Sequence, residues 1–255
     1  MQTGKWPNGL DPSITSLADL VSGIEGWTYP EELWALHEAA RNFPGREPLN
    51  VVEIGSWKGR STVALALGLC SRGNGRVYAI DPHTGSREHI DAYGRVDTFS
   101  AFLQNIDKAG LADVVEPIRT TSHEASGRFE RNSVNVLFID GSHEYEDVLA
   151  DIEDWVPILA DAAVVAFNDP LYPGVYRALR DVVLKSSSPY RNARYVANTL
   201  FFAFHRGMRW RLQDSAALLR LRVLLALRLQ AQRPANYAPK WAVGWGRRLY
   251  ERMLP

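Results

Sequence analysis

A single cysteine, Cys70, stands among 255 residues, which excludes an intrachain disulfide and a cysteine-based metal cluster. No apolar run approaches the ~20 residues needed to cross a bilayer. The opening residues, MQTGKWPNGLDPS, lack the basic-then-apolar order of a secretion signal. A cytoplasmic protein is therefore expected. Charge of one sign is not in excess either: 29 Lys and Arg meet 29 Asp and Glu. That balance removes any general argument for nucleic acid as a partner. The chain has no internal repeat and no low-complexity tract.

Hydrophobic residues make up 46% of the chain, enough for one full α/β core with an appendage. Residues 1–25 read as an irregular arm and residues 26–206 as the main domain. Residues 207–255 read as a basic, helical extension. From Arg206 to Pro255, eleven Lys or Arg meet only Asp214 and Glu251, so this stretch carries about +9 and the remainder about −9. Within it, LLRLRVLLALRLQ spreads Arg220, Arg222 and Arg228 over several helix faces. Such a segment suits packing on the domain or on a second subunit of a homo-oligomer, or contact with a membrane surface or an acidic partner.

Inside the domain, strand-like and helix-like segments alternate. Strands are predicted at Val51–Ile54, Arg76–Ile80, Val114–Ile118, Val134–Ile139 and Ala162–Phe167, with helices at Arg60–Leu69, Ser100–Ala109, Glu146–Trp155 and Val175–Lys185. A further helix is expected over Pro30–Asn42, with Glu31 and Glu32 favourable at its positive end. Short apolar strands separated by helices imply a doubly wound, mostly parallel sheet covered on both faces. RYVANTLFFAFHR follows with no helix before the next apolar run, which predicts an antiparallel strand at the edge.

The most informative stretch is VVEIGSWKGRSTVALA, Val51 to Ala66, a strand entering a helix through a glycine turn. A dinucleotide loop needs a glycine where Trp57 stands, because the backbone must approach the pyrophosphate. An ATP loop needs one more residue between its glycines, and lysine where Arg60 stands. What remains is an acid, Glu53, a glycine turn over Gly55, Ser56 and Gly59, and a helix start at Ser61. This suits a ligand with no phosphate, a zwitterionic end and a positive centre: S-adenosylmethionine. Its carboxylate can accept helix N–H groups and its ammonium can sit near Glu53. Asp81 lies 26 residues beyond Gly55, at the end of the second strand. An acid there can accept both ribose hydroxyls. Thr121 or Ser122, after the third strand, falls beside the adenine.

These motifs resemble those of class I S-adenosylmethionine-dependent methyltransferases. The pairing of VVEIGSWKGRST with IDPH and LFIDGSHEYEDVLADIEDW is similar to small bacterial O-methyltransferases. Their relatives include the macrolide sugar methyltransferases and, more distantly, the catechol type. The likeness runs from about Gly26 to Arg206. It implies a seven-stranded Rossmann-like sheet, a methyl donor in the glycine loop and a sugar, glycoside or other hydroxyl as acceptor.

The acceptor chemistry is expected beyond the fourth and fifth strands. Asp140, Asn168 and Asp169 offer oxygen donors for a hard cation such as Mg²⁺, and the resemblance implies the same ligands. Asp140 is also expected to border the cofactor. The order Asn168-Asp169 departs from the two-acid ending common among metal-dependent relatives, which removes one negative charge from the site. His143 is the candidate base, since an imidazole can take a proton at neutral pH. Glu144, Glu146 and Asp147 read as the acidic first turn of a helix. Two other readings stay open: methylation of a phenolic or other small natural-product hydroxyl, and a non-catalytic protein that binds S-adenosylmethionine.

Overall fold

The computed structural model describes residues 12–44, 48–86, 90, 91, 94–185, 187–207, 220, 223–225, 227 and 228. Along each central strand, neighbouring apolar residues point to opposite faces and enter different cores. Val52, Ile54, Leu137, Ile139, Val165 and Phe167 join one buried cluster, and Val51, Val77, Val136, Phe138 and Ala166 join the other. That two-sided burial explains the near-continuous apolar runs and makes the sheet a central layer between helices.

The strands are β1 (Leu49–Ile54), β2 (Gly75–Ile80), β3 (Val115–Ile118), β4 (Val134–Ile139), β5 (Leu159–Asn168), β6 (Tyr190–Val196) and β7 (Thr199–Phe204). They form one seven-stranded sheet in the order β3-β2-β1-β4-β5-β7-β6. Every pairing from β3 to β5 is parallel, and β7 is antiparallel to both β5 and β6. The predicted doubly wound sheet is thus present. Its antiparallel strand lies one place in from the edge, between β5 and β6. The strand order reverses between β1 and β4, where ligands of open α/β sheets bind.

The helices are α1 (Pro12–Ser22), α2 (Pro30–Arg41), α3 (Arg60–Arg72), α4 (Phe99–Lys108), α5 (Ser122–Ser126), α6 (Tyr145–Trp155) and α7 (Pro173–Ala178). A π-helical turn, Leu179–Val183, continues α7. Helix α2 lies tightly on α3: a Cβ at Gly68 would sit 2.1 Å from the His37 carbonyl oxygen. Any larger residue there would lift α2, and with it Glu32.

The first segment differs from expectation. Instead of an irregular arm, α1 places Leu17 and Val21 in the core beside Ile24. The four-residue spacing of Leu17 and Val21 supplies the apolar face for a short helix. Arg60 ties this segment down, donating from Nη1 to the carbonyls of Val21 (2.8 Å) and Ile24 (2.9 Å). A guanidinium used in this way satisfies the carbonyls at the end of α1. Residues 1–11 of the arm lie outside the described residues.

Within β5, Ala162 has φ +61°, and the β4–β5 register shifts between Val134 and Val136. The Asp161-Ala162-Ala163 run is therefore a structural irregularity of the strand pair. Of the basic extension, Leu225 is buried in the core and Arg228 lies 4.4 Å from the Tyr195 ring centroid. Most of it, with the residues on which the expected membrane or partner role rests, lies outside the described residues. Among the described residues no helix is long and apolar enough to cross a membrane.

Candidate active site

Four strand ends meet at the point where the strand order reverses. Gly55 leaves β1 with φ +87°, and its N–H bonds to the Ile80 carbonyl at 2.8 Å. The Asp140 N–H in turn bonds to the Ile54 carbonyl at 2.9 Å. The two loops touch so closely that a Cβ on Gly55 would lie 2.1 Å from the Asp140 carbonyl oxygen. Glycine is required here by both the backbone angle and the space. Gly59, φ +90°, then opens α3, and no side chain caps that helix.

Asp81 holds the glycine loop from the next strand. Its carboxylate accepts the Trp57 N–H at 2.8 Å and the His83 N–H at 2.6 Å, one on each oxygen. Each oxygen keeps a lone pair for a further donor. Trp57 sits at φ +48°, and its ring centroid is 5.5 Å from that of Trp27. The indole that argued against a pyrophosphate is thus at the turn itself, backed by a second, half-exposed indole.

Glu53 is fully buried beneath this loop, where the Thr62 hydroxyl donates to Oε2. Burial pushes its carboxyl up to about 7. It braces the first turn of α3, so a ligand ammonium would meet it only at Oε1. That oxygen, Ser56 Oγ and His83 Nε2 are buried without a hydrogen-bond partner among the described residues. All three belong to the ends of β1 and β2. Leaving such groups unsatisfied costs about 1–3 kcal/mol each, so this corner is chemically suited to a polar ligand. Ser61 is buried in the first turn of α3. Thr121 and Ser122 lie beyond β3 with local partners: Thr121 caps α5 through the Glu124 N–H, and Ser122 Oγ accepts from Trp155 Nε1 at 2.8 Å.

On the far side of Gly55, the loops after β4 and β5 bring together Asp140, His143, Asn168 and Asp169. His143 Nε2 lies 3.1 Å from Asp169 Oδ2, and its ring stacks on Tyr172 with centroids 4.0 Å apart. Asp169, φ +51°, also accepts from Asn198 Nδ2. Asn168 differs from its expected role as an oxygen donor. Its Nδ2 donates to Asp140 Oδ1 at 2.9 Å, and its Oδ1 accepts from Thr199 Oγ1 at 2.9 Å. As placed, the donors that converge within 4.8 Å of one another are those of Asp140, His143 and Asp169. Burial, with Asp169, Glu32 and Glu53 nearby, raises the Asp140 carboxyl well above the usual range.

Three contributors had no clear sequence signal. Glu32 comes from α2, Asn198 from the β6–β7 turn and Thr199 from the start of β7. Glu32 is buried and accepts the Asn198 N–H at 2.7 Å and the Thr199 hydroxyl at 2.9 Å, both on Oε1. Burial lifts its carboxyl to about 7. Its place in the first helical turn, beside Glu31, had suggested only an interaction with the helix dipole.

These shifts set a pH dependence of stability. A buried carboxyl with a raised folded pKa stabilises fully below its unfolded pKa and loses that contribution as pH rises through the folded value. Glu32 and Glu53, at about 7, lose it across neutrality. His83, lowered by burial, has the opposite sign, but its effect falls below the unfolded histidine value of ~6.5. Thermal melts of the ligand-free protein in chelator are expected to give a lower Tm at pH 8 than at pH 6.5. An equal or higher Tm at pH 8 would contradict the assignment.

Residues 52–170, from within β1 to just past β5, match the family described as Methyltransferase domain. This segment contains the glycine loop, Asp81, Asp140, His143, Asn168 and Asp169. Residues 52–170 are thus similar to a methyltransferase domain and carry the core of a doubly wound sheet. The uncharacterized protein y4gI of Sinorhizobium fredii is 31% identical over 144 residues, which cover 55% of this chain and 14% of that protein. The chain therefore spans only a small part of that relative's length. Among solved structures, the O-methyltransferase of Bacillus cereus in complex with SAH is 18% identical with a TM-score of 0.53, covering 78% of this chain and 92% of that one. The O-methyltransferase TomG of Streptomyces achromogenes, involved in tomaymycin synthesis and in complex with SAM, is 16% identical, with the same TM-score of 0.53 and coverages of 78% and 92%. At such identities the likeness is one of fold. The match spans the glycine loop and Asp81, which border the donor corner of the expected site; Glu32, Asn198 and Thr199 lie outside the matched residues.

Proposed function

We propose that this chain is an S-adenosylmethionine-dependent O-methyltransferase acting on a hydroxyl of a sugar, glycoside or polysaccharide precursor. A divalent cation such as Mg²⁺ assists it. The observation that carries this reading is the His143–Asp169 pair, 3.1 Å apart, across Gly55 from the donor corner. An O-methyl transfer needs a base next to the methyl donor, and this pair supplies one.

The donor is held by groups with matching chemistry. Asp81 accepts ribose hydroxyls on the lone pairs left by Trp57 and His83. The uncapped start of α3 receives the carboxylate, and Glu53 Oε1 suits the ammonium. The acceptor oxygen then attacks the sulfonium methyl in line. As the new C–O bond forms, the S–CH₃ bond breaks and S-adenosylhomocysteine leaves. The hydroxyl proton passes to His143, and Asp169 stabilises the imidazolium that results. An alcohol is a far weaker acid than a phenol, so it depends more on this pair. The half-exposed face of Tyr172, stacked on His143, offers an apolar platform to a sugar ring.

Asp140 and Asp169 would hold the cation, with Asn168 turning its amide oxygen inward, and the bound cation would make the acceptor hydroxyl more acidic. A hard cation takes this oxygen set, leaving the softer imidazole as the base. A borderline metal such as Zn²⁺ would capture His143 and inhibit. A second reading, a phenolic or other small natural-product hydroxyl, draws on the likeness to TomG.

The test is transfer of labelled methyl from S-adenosylmethionine to panels of glycosides and phenols, with Mg²⁺, Zn²⁺ or chelator. Methylation of glycoside hydroxyls, lowered by chelator and restored by Mg²⁺ but not Zn²⁺, is expected. Acceptance of phenols alone would favour the second reading, and an unchanged rate in chelator would remove the cation. Binding of S-adenosylhomocysteine without transfer to any hydroxyl would overturn enzymatic O-methylation.

A further inference from the structure

One carboxylate oxygen outside the matched residues is hydrogen-bonded toward both arms of the acceptor side. Glu32 Oε1 accepts the Asn198 N–H at 2.7 Å, and Asn198 Nδ2 donates to Asp169, which pairs with His143 at 3.1 Å. The same oxygen accepts the Thr199 hydroxyl at 2.9 Å, and Thr199 Oγ1 lies 2.9 Å from Asn168 Oδ1. Asn168 then reaches Asp140 at 2.9 Å. Asn168 and Thr199 are direct cross-strand partners in the β5–β7 pair, so their contact is fixed by register. The other oxygen of Glu32 accepts the Tyr29 N–H at 2.7 Å, which anchors the carboxylate to the start of α2.

We propose that Glu32 is the positioning residue of this site, fixing Asp169 through Asn198 and selecting, through Thr199, which end of the Asn168 amide faces Asp140. The reason is a shortage of protons. Thr199 has one hydroxyl proton and faces two acceptors, Glu32 Oε1 and Asn168 Oδ1. When Glu32 takes that proton, the Thr199 oxygen becomes an acceptor toward Asn168. It then favours the amide nitrogen on its own side and the amide oxygen toward Asp140. When Glu32 does not take it, Thr199 donates to Asn168 Oδ1 and the amide nitrogen stays on Asp140. The hydrogen bonds of Glu32 go to Tyr29, Asn198 and Thr199, so it acts on the site through the last two.

This inference rests on the reading of Asp140, His143 and Asp169 as the acceptor side, and its test separates the two. Four variants are compared: Glu32→Ala, Glu32→Gln, Thr199→Val and Thr199→Ser. Cooperative melting and unchanged S-adenosylhomocysteine binding identify those that fold with an intact donor corner. The side-chain amide signals of Asn168 and Asn198 are then followed by ¹⁵N NMR in chelator, alongside Mn²⁺ binding and methyl-transfer kinetics. Thr199→Val is expected to move the Asn168 signal alone, and Glu32→Ala to move both. Each is expected to weaken Mn²⁺ binding and lower kcat about tenfold or more without changing KM for S-adenosylmethionine. Thr199→Ser, which keeps the hydroxyl, should restore the Asn168 signal and kcat to near wild type, and Glu32→Gln, which keeps one acceptor oxygen, should fall between. If Glu32→Ala does not fold, Thr199→Val decides. Folded variants with both amide signals and kcat within about twofold of wild type would overturn the proposal. A wild type inactive on every acceptor would instead count against O-methylation, and the amide signals would still decide the role of Glu32.

Discussion

Replacing His143 with alanine is expected to lower kcat by about 10²–10⁴-fold on an alcohol acceptor, the usual range for loss of a positioned general base. The donor should bind as before, because Ser56, Gly59 and Asp81 lie across Gly55 from the imidazole. KM for S-adenosylmethionine is therefore expected to stay within a few-fold. On a phenolic acceptor the loss should be much smaller, since a phenol with pKa ~10 ionises without comparable help. Asp169→Asn should also lower kcat, because the amide cannot stabilise the imidazolium as a carboxylate does. As placed, its single amide oxygen can accept from Asn198 or from His143 but not from both, so its effect need not equal that of His143→Ala. Initial rates with saturating donor measure both variants. A His143→Ala enzyme that methylates alcohols at more than about a tenth of the wild-type rate would remove His143 as base. The cation would then have to be the main activator of the hydroxyl.

The geometry of the glycine loop and its neighbouring acid was legible because its constraints are local. A glycine turn between a strand and a helix declares itself through Gly55 and Gly59, and an acid at the next strand end declares itself through Asp81. Trp57 and Arg60 were legible as exclusions, and the structure gives each a use: Trp57 bonds to Asp81 through its backbone, and Arg60 holds the end of α1. Helix α1 was missed because Leu17 and Val21 make only a short apolar face behind a proline. Glu32 was read as a dipole partner because sequence position alone does not reveal what a helical side chain faces. Its partners, Asn198 and Thr199, look like any turn between strands. Their role depends on β7 lying beside β5, a long-range register that no local pattern encodes. Asn168 shows the same limit: residue type suggested an oxygen donor, whereas the cross-strand hydroxyl of Thr199 sets which end of the amide is offered.

Substituting alanine at Gly55 should be severely damaging, and Gly73 provides its control. Both glycines sit in the left-handed region, at φ +87° and +93°, where a Cβ costs about 1–2 kcal/mol. Nothing lies within 4 Å of a Cβ at Gly73, whereas at Gly55 it would meet Asp140 O at 2.1 Å, Asp140 C at 2.6 Å and Gly141 Cα at 2.8 Å. These are backbone atoms, which cannot rotate aside. Relief requires the loop after β4 to move away from the loop after β1, adding about 1–3 kcal/mol for overpacking. The combined cost is a large fraction of the ~5–15 kcal/mol that stabilises a typical domain. Gly73→Ala is thus expected to lower Tm by a few degrees, and Gly55→Ala by about 5–15 °C. The movement also carries Asp140 away from the donor corner, so Gly55→Ala should lose S-adenosylhomocysteine binding even where it remains folded, while Gly73→Ala retains it. Calorimetry and thermal melts on the two variants separate backbone strain from the clash. Equal Tm values and equal binding would mean that the two loops are not in contact as described, and the junction between donor and acceptor sides would have to be redrawn.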